Sequence, residues 1–319
     1  MKVAVLKGGR SLERQVSLRS GARVQDALER LGHRVIPIDV GPDLVQRLTE
    51  AAPDVAFIAL HGRDGEDGTI QELLEATGIR YTGSGVSACI RAADKVLAKH
   101  AMRDSGIPTP DFYSFSETAF EALGAAQALP AIEDRLQFPI VVKPAAQGSA
   151  LGIKFARTPA DVPQALVAAF SYDRKVLLER HVAGRDLAVS ILDEDRGAGT
   201  SGRPRALPVV EAVPQQEDFY DFESRYEIGR TKFVCPAELE DSVAARASEI
   251  ALEVYALLGC RGFARVDLML DSVGEQLYVL EADAIPGLTE TSLLPQAADA
   301  AGIGFDELIA RILAAAVRP

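Results

Sequence analysis

Hydrophobic and polar positions alternate in two periods along the N-terminal part of the chain. Val3–Leu6 is a short apolar run ending at Gly8-Gly9-Arg10-Ser11, and Val16, Val24, Leu28 and Leu31 then recur at helical spacing. The helix they predict starts between Glu13 and Ser17. Val35–Asp39 and Val55–Leu60 read as the next strands, with helices from Asp43 and from Thr69. Strands alternating with helices predict a parallel sheet, and ligands bind beyond the carboxyl ends of such strands. Gly8-Gly9 and the run His61-Gly62-Arg63-Asp64-Gly65-Glu66-Asp67-Gly68 occupy those positions. The stretch LKGGRS lacks the G-x-G-x-x-G spacing, which excludes a dinucleotide fingerprint. Taken singly these residues carry no function: Glu13 is equally an ordinary first-turn carboxylate, and His61 an ordinary loop residue.

A domain boundary is expected near Ala92–Asp94. Lys95 and Lys99 open a helix ending near Gly106, and Phe138–Lys143 is an apolar strand that closes on a lysine. Pro144–Gly152 is rich in small residues, and Ile153–Ala156 resumes the strand pattern, so this segment reads as a hairpin tip. Its backbone N–H groups could close over a phosphate. Lys175–Glu179 is a further strand, with Asp186 beyond it. Asp193–Pro204 reads as a flexible hairpin loop, Leu207–Val210 as a returning strand, and Asp218–Tyr226 as a surface loop able to fold over a site. Glu238–Leu258 and Phe305–Val317 are expected helices.

The most informative stretch runs from Arg261 to Leu294. Phe263, Val266, Leu268 and Leu270 form a strand, Asp271, Ser272 and Gly274 a reversal, and Leu277–Leu280 the return. This hairpin brings Asp267 near Glu281, with Asp283 on the same face and Arg265 beside Asp267. Gathered carboxylates repel unless a positive charge lies between them, and oxygen-only ligands favour a hard cation such as Mg²⁺. Gly287, Thr289 and Ser292 follow with backbone donors and hydroxyls suited to an anion.

With 319 residues, 48% of them hydrophobic and 25% charged, the chain can bury a core in two or three domains. A net charge of −12 argues against a nucleic-acid partner. No apolar run suits a membrane span and no secretory signal is legible, which implies a cytoplasmic protein. Cys89, Cys235 and Cys260 lack metal-ligand spacing and read as buried thiols.

Seven motifs, in order LKGGRSLERQVSLRSG, LHGRDGEDG, YTGSGVSACIRAADK, FPIVVKP, FYDFESRY, GFARVDLML and LEADAIPGLTETSLLPQAA, resemble those of the D-alanine–D-alanine ligases of the ATP-grasp superfamily. The likeness spans nearly the full length. It implies a mixed α/β fold of three domains: an N-terminal parallel α/β domain (1–93), a central ATP-grasp domain (94–182) and a C-terminal ATP-grasp domain with the metal site (183–319). It implies ATP-dependent joining of two D-alanines through an acyl phosphate, for peptidoglycan synthesis, by a homodimer. Matched position by position, the resemblance assigns Lys95 and Lys143 to ATP phosphates, Glu179 to the adenine side and Asp186 to the ribose. Asp267, Glu281 and Asp283 become ligands of two Mg²⁺ ions, or of Mn²⁺. Glu13 takes the ammonium of the first D-alanine, with Ser149 and Tyr226 as hydrogen-bonded companions, and Arg265 and the Gly287 backbone face its carboxylate and the oxyanion. Arg225, Ser292 and Leu293 hold the second carboxylate, and His61 lies near the reacting centre.

Four positions depart from the family pattern. Asp283 stands for an asparagine, Asp186 for a glutamate, Ala150 for a serine in the flap, and Arg225 for a lysine. A sister ligase taking D-lactate or D-serine, and a nucleotide-binding homologue without catalysis, are the competing readings; Tyr226 favours an amine acceptor.

Overall fold

In the computed structural model of the protein, residues 1–194, 203–215, 229–273 and 276–317 are described. The N-terminal alternation folds as its two periods predict. Strand β1 (Lys2–Lys7) leads through helix α1 (Arg14–Arg30) to β2 (Arg34–Asp39), then through α2 (Leu44–Ala51) to β3 (Val55–Ile58). The order is β2-β1-β3, and β1 pairs in parallel with both neighbours. Parallel pairs need a long crossover, and the helices supply it. All four residues of β3 are buried, as expected of a strand covered on both faces. Helices α3 (Thr69–Ala76) and α4 (Val86–Ala93) follow.

The next unit opens with α5 (Lys95–Asp104), whose N-terminus is capped by Asp94 accepting from Val96 N and Leu97 N. Then come β4 (Phe112–Ser116), α6 (Glu117–Ala122), α7 (Leu129–Leu136), β5 (Ile140–Pro144), β6 (Lys154–Ala156), α8 (Val162–Phe170) and β7 (Lys175–Arg180). The strands form an antiparallel sheet ordered β4-β7-β5-β6. Leu136, Ile140, Val142, Leu166 and Leu178 fill its core. The β5–β6 hairpin places the small-residue segment at a sheet end, as read from the sequence.

A six-stranded sheet closes the chain: β8 (Gly184–Glu194), β9 (Arg203–Ala206), β10 (Val210–Pro214), β11 (Thr231–Val234) and, after helix α9 (Asp241–Leu258), β12 (Phe263–Asp271) and β13 (Leu277–Asp283). Helices α10 (Leu293–Ala300) and α11 (Phe305–Val317) end it. The expected acidic hairpin forms, and a bulge between Asp267 and Leu268 sets Asp267 opposite Glu281 and Arg265 opposite Asp283. This sheet and the N-terminal one share one apolar cluster. Helix α11 seals it: the Arg30 guanidinium lies 2.6 Å from Asp306, Arg23 stacks 4.0 Å from the Phe305 ring, and Arg80 donates to the Val317 carbonyl at 3.1 Å.

Several expectations are corrected. The loop predicted over Asp193–Pro204 is partly strand, since Glu194 pairs with Arg203 across β8 and β9. Of the strand expected over Leu207–Val210 only Val210 belongs to β10; residues 207–209 are a break after β9, where Pro208 has no N–H to donate to a ladder. The helix expected from Glu238 begins at Asp241, because Glu240 is extended and serves as its N-cap residue. Of the three free cysteines only Cys89 is buried; Cys235 and Cys260 are half-buried. Gly274 and the segment Asp218–Tyr226 lie outside the described residues. Among those residues no helix is long and apolar enough to cross a membrane.

Candidate active site

Glu13 ends the loop after β1, immediately before α1, and is 2% exposed. Its Oε1 accepts from the Ser149 hydroxyl of the β5–β6 hairpin, while Oε2 has no hydrogen-bond partner. A buried carboxylate with an unpaired oxygen is costly unless a donor or cation arrives. Burial, reinforced by repulsion from Glu66 and eased by the Ser149 bond, lifts its pKa from 4.5 to about 7.

His61, near the start of the loop between β3 and α3, is buried against α1. Its Nε2 lies 2.9 Å from Ser20 Oγ and its Nδ1 3.3 Å from Glu66 Oε1. Burial pulls its pKa down and keeps the ring neutral, whereas burial and the charge of Asp283 hold the Glu66 carboxyl well above the carboxylate range. Ser20 Oγ also accepts from Leu288 N at 3.2 Å, joining α1 to the loop after β13. Ser20 and Glu66 escaped the sequence reading. The only signal was a carboxylate five places after His61 and a serine one helical turn beyond Val16.

Between His61 and Glu13 lies Gly62, with φ +70°. A Cβ there would sit 2.1 Å from Glu13 Oε2, so glycine is required both by conformation and by space.

The acidic hairpin meets this group from the other side. Arg265 grips Asp267 through two bonds, Nε–Oδ1 at 2.6 Å and Nη2–Oδ2 at 3.0 Å, and its Nη1 lies 3.2 Å from Asp283 Oδ2. Burial works against the Arg265 charge, but Asp267, Asp283 and Glu281 more than offset it and raise its pKa above the ordinary guanidinium value. Glu281 Oε2 lies 3.1 Å from Lys95 Nζ, which also donates to the Gln147 carbonyl at 2.9 Å. The positive charge that relieves the three carboxylates is therefore supplied by the chain's own Arg265 and Lys95. No three acidic, histidine or cysteine side chains converge on one metal position among the described residues. The donor set itself, oxygens from adjacent register positions on one face, fits a hard divalent cation, which would have to draw these carboxylates off their cations.

One pocket is lined by Glu13, His61, Lys95, Ser149, Arg265, Glu281, Asp283, Gly287, Ser292 and Leu293, so ten of the sixteen residues singled out in the sequence face a common space. Ser292 is the N-cap residue of α10, and its Oγ accepts from Thr289 N at 3.0 Å. A Cβ on Gly287 would stand 2.7 Å from that Oγ. Asp267, Lys143, Glu179 and Asp186 do not line that pocket: Asp267 is held by Arg265, and Lys143 and Glu179 pair with each other, Lys143 Nζ lying 2.5 Å from Glu179 Oε1. Asp186 is half-buried on β8, beside Ala212 and Met269. Arg225 and Tyr226 lie outside the described residues.

Comparisons with known proteins cover nearly the whole chain. The family model described as the D-ala D-ala ligase C-terminus covers residues 101–314, and that of the D-ala D-ala ligase N-terminus residues 43–84. A D-alanine–D-alanine ligase from Moorella thermoacetica is 41% identical over 319 residues, covering 100% of both chains. Its counterpart from Syntrophotalea carbinolica is 44% identical over 315 residues, covering 99% of this chain and 96% of the relative. Among solved structures, the Bacillus anthracis D-alanine–D-alanine ligase complexed with ATP superimposes with a TM-score of 0.81 at 31% identity, covering 99% of this chain and 97% of that one. Full-length similarity at this identity, with a family model covering residues 101–314, establishes that the chain belongs to the D-alanine–D-alanine ligase family.

Proposed function

We propose that the protein joins two D-alanine molecules into D-alanyl-D-alanine, converting ATP to ADP and phosphate, in cytoplasmic peptidoglycan synthesis. The observation that carries this reading is Glu13, whose unpaired buried oxygen faces the pocket as an acceptor for a substrate ammonium. The ammonium of the first D-alanine pairs with Glu13 and shifts that carboxyl toward its ionised form. Its carboxylate lies toward Arg265 and the Gly287 N–H. Lys95 and Lys143 neutralise the ATP phosphates, Glu179 meets the adenine and Asp186 the ribose, on the partition into units 1–93, 94–182 and 183–319.

Attack of a carboxylate on the γ-phosphate brings anion to anion, so positive charge must stand at both. Two Mg²⁺ ions held by Asp267, Glu281 and Asp283 would supply Lewis-acid neutralisation of the phosphates when bound. Arg265 stays charged beside the acyl carbon and, with the Gly287 N–H, stabilises the oxyanion of the tetrahedral intermediate. Ser292, Leu293 and Arg225 orient the second D-alanine by its carboxylate, and Tyr226 and Ser149 close over the first. The flap at Gly148–Gly152 excludes the water that would hydrolyse the acyl phosphate. The expected assembly is a homodimer.

The test is phosphate release by the purified protein with Mg²⁺-ATP and D-alanine, D-serine or D-lactate, with mass spectrometry of the products. Dipeptide formation with D-alanine is expected. Depsipeptide as the main product, or ATP binding with no D-alanine-dependent phosphate, would overturn the reading.

A further inference from the structure

Glu179 is 1% exposed and each of its oxygens is claimed by a different lysine. Lys143 Nζ lies 2.5 Å from Oε1 and Lys99 Nζ 2.6 Å from Oε2. Strand pairing explains the first contact: Lys143 stands opposite Leu177 and Glu179 opposite Val141, diagonal neighbours on one sheet face. The second comes from α5, where Lys95 and Lys99 are four residues apart and share a helix face. Lys99 is fully buried. Its ammonium also donates to Thr109 Oγ1 at 2.5 Å and reaches the Val279 carbonyl at 3.5 Å, and Thr109 donates to that same carbonyl at 2.8 Å. It is thus anchored to both the central and the C-terminal sheet and shut off from the pocket.

The two lysines cannot have the same role. A buried carboxylate needs a counter-ion in every state the protein visits, because leaving it uncompensated is strongly unfavourable. If Lys143 alone compensated Glu179, moving its ammonium to a phosphate would strip the carboxylate of its partner. Lys99 removes that conflict, since it stays on Oε2 while Lys143 moves. Burial lowers the Lys99 pKa to about 8, with Glu179 opposing the shift, so the ammonium remains mostly charged at neutral pH. The two lysines in turn overcome burial and hold the Glu179 carboxyl below its ordinary pKa.

We propose that Lys99 is a positioning residue of the nucleotide site: the stationary counter-ion of buried Glu179, which frees Lys143 to bind the phosphates. This rests on the assignment of Lys143 and Glu179 to the nucleotide. The discriminating measurement compares ATP with adenosine, which lacks phosphates, by calorimetry on the full-length protein with Mg²⁺. Lys99→Met should weaken ATP about thirtyfold, the low end of what truncating one partner of a buried charge pair costs, and adenosine no more than about threefold. Equal loss of both ligands would mark Lys99 as merely structural and overturn the proposal. Neutralising the carboxylate removes the need for a counter-ion, so Lys99→Met/Glu179→Gln should bind ATP as Glu179→Gln does. This comparison stands even if the single Lys99 variant fails to fold, and a further loss of more than about threefold in the double variant would refute the idea. Lys143→Met separates the two levels of inference: unchanged ATP affinity would sink the nucleotide assignment itself, whereas a loss confined to phosphate-bearing ligands supports both.

Discussion

Glu13 links stability, pH and substrate binding in a way that one substitution tests. Its carboxyl is buried, and its pKa rises from 4.5 to about 7 on folding, mainly through lost hydration and secondarily through Glu66. An acid whose folded pKa exceeds its unfolded one binds its proton more tightly when native. Its contribution is therefore greatest below pH 4.5, falls as pH rises toward about 7, and is flat above. At about 1.4 kcal/mol per unit, the whole shift is worth about 3 kcal/mol, of which about 2 kcal/mol falls between about pH 5.5 and about pH 8. Glu13→Gln keeps the shape and removes the titration. Urea unfolding of both proteins across that range reads the difference, since every titrating group except Glu13 and the two that interact with it most, His61 and Glu66, behaves alike in both. The stability of the variant relative to the parent should rise by about 2 kcal/mol from the acid to the alkaline end. A difference that stays constant with pH would show that Glu13 titrates normally, and the case for an ammonium site built on it would fall.

The same carboxylate must be ionised to hold an ammonium, so D-alanine affinity at the first site should fall about tenfold from about pH 8 to about pH 6. A flat calorimetric profile over that range refutes it. Gly62→Ala forces a left-handed backbone worth about 1–2 kcal/mol and drives a methyl into Glu13 Oε2, so KM for the first D-alanine should rise at least roughly tenfold. An unchanged KM in steady-state assays would contradict that. Asp94→Ala removes the cap of the helix that carries Lys95 and should cost about 1 kcal/mol, read as a lower urea midpoint, with a raised KM for ATP. Asp283→Asn leaves Arg265 bound to Asp267 but withdraws a charge from the hairpin, so half-maximal rate should need roughly tenfold more Mg²⁺. Parent protein inactive while this variant releases phosphate would show that Asp283 disables the site.

Features set by local period were legible in the chain before any coordinates. The 2-and-3.6 alternation of the first strands and helices announced a parallel sheet, and the turn with its two-residue repeat announced a hairpin bringing Asp267 near Glu281; the bulge between Asp267 and Leu268 that sets the two directly opposite is not written in that repeat. Across 112–170 the pattern was weaker. FYSFS mixes aromatic and polar residues, and β4, α7 and α8 went unread because their burial is decided by packing against β5 and β7. At the site, residue types were visible but partners were not. Ser149 bonds Glu13 and Lys99 pairs with Glu179, each across a long loop of chain. Arg265 beside Asp267 follows from the two-residue repeat of one strand, but neither the Lys95–Glu281 pair nor the anchoring of His61 by Ser20 follows from spacing, since each joins a helix to a distant segment.

Helix α11 has a consequence for synthesis on the ribosome. The first sheet is built from residues translated well before α11, yet part of the apolar surface around α1 and β3 is covered by α11 side chains such as Ile312 and Leu313. Until then a nascent chain presents that surface to solvent and to chaperones. A stop codon ahead of Phe305 would leave every residue of the pocket in the chain while uncovering the apolar cluster that the two sheets share, and the polypeptide so released should partition into the insoluble fraction.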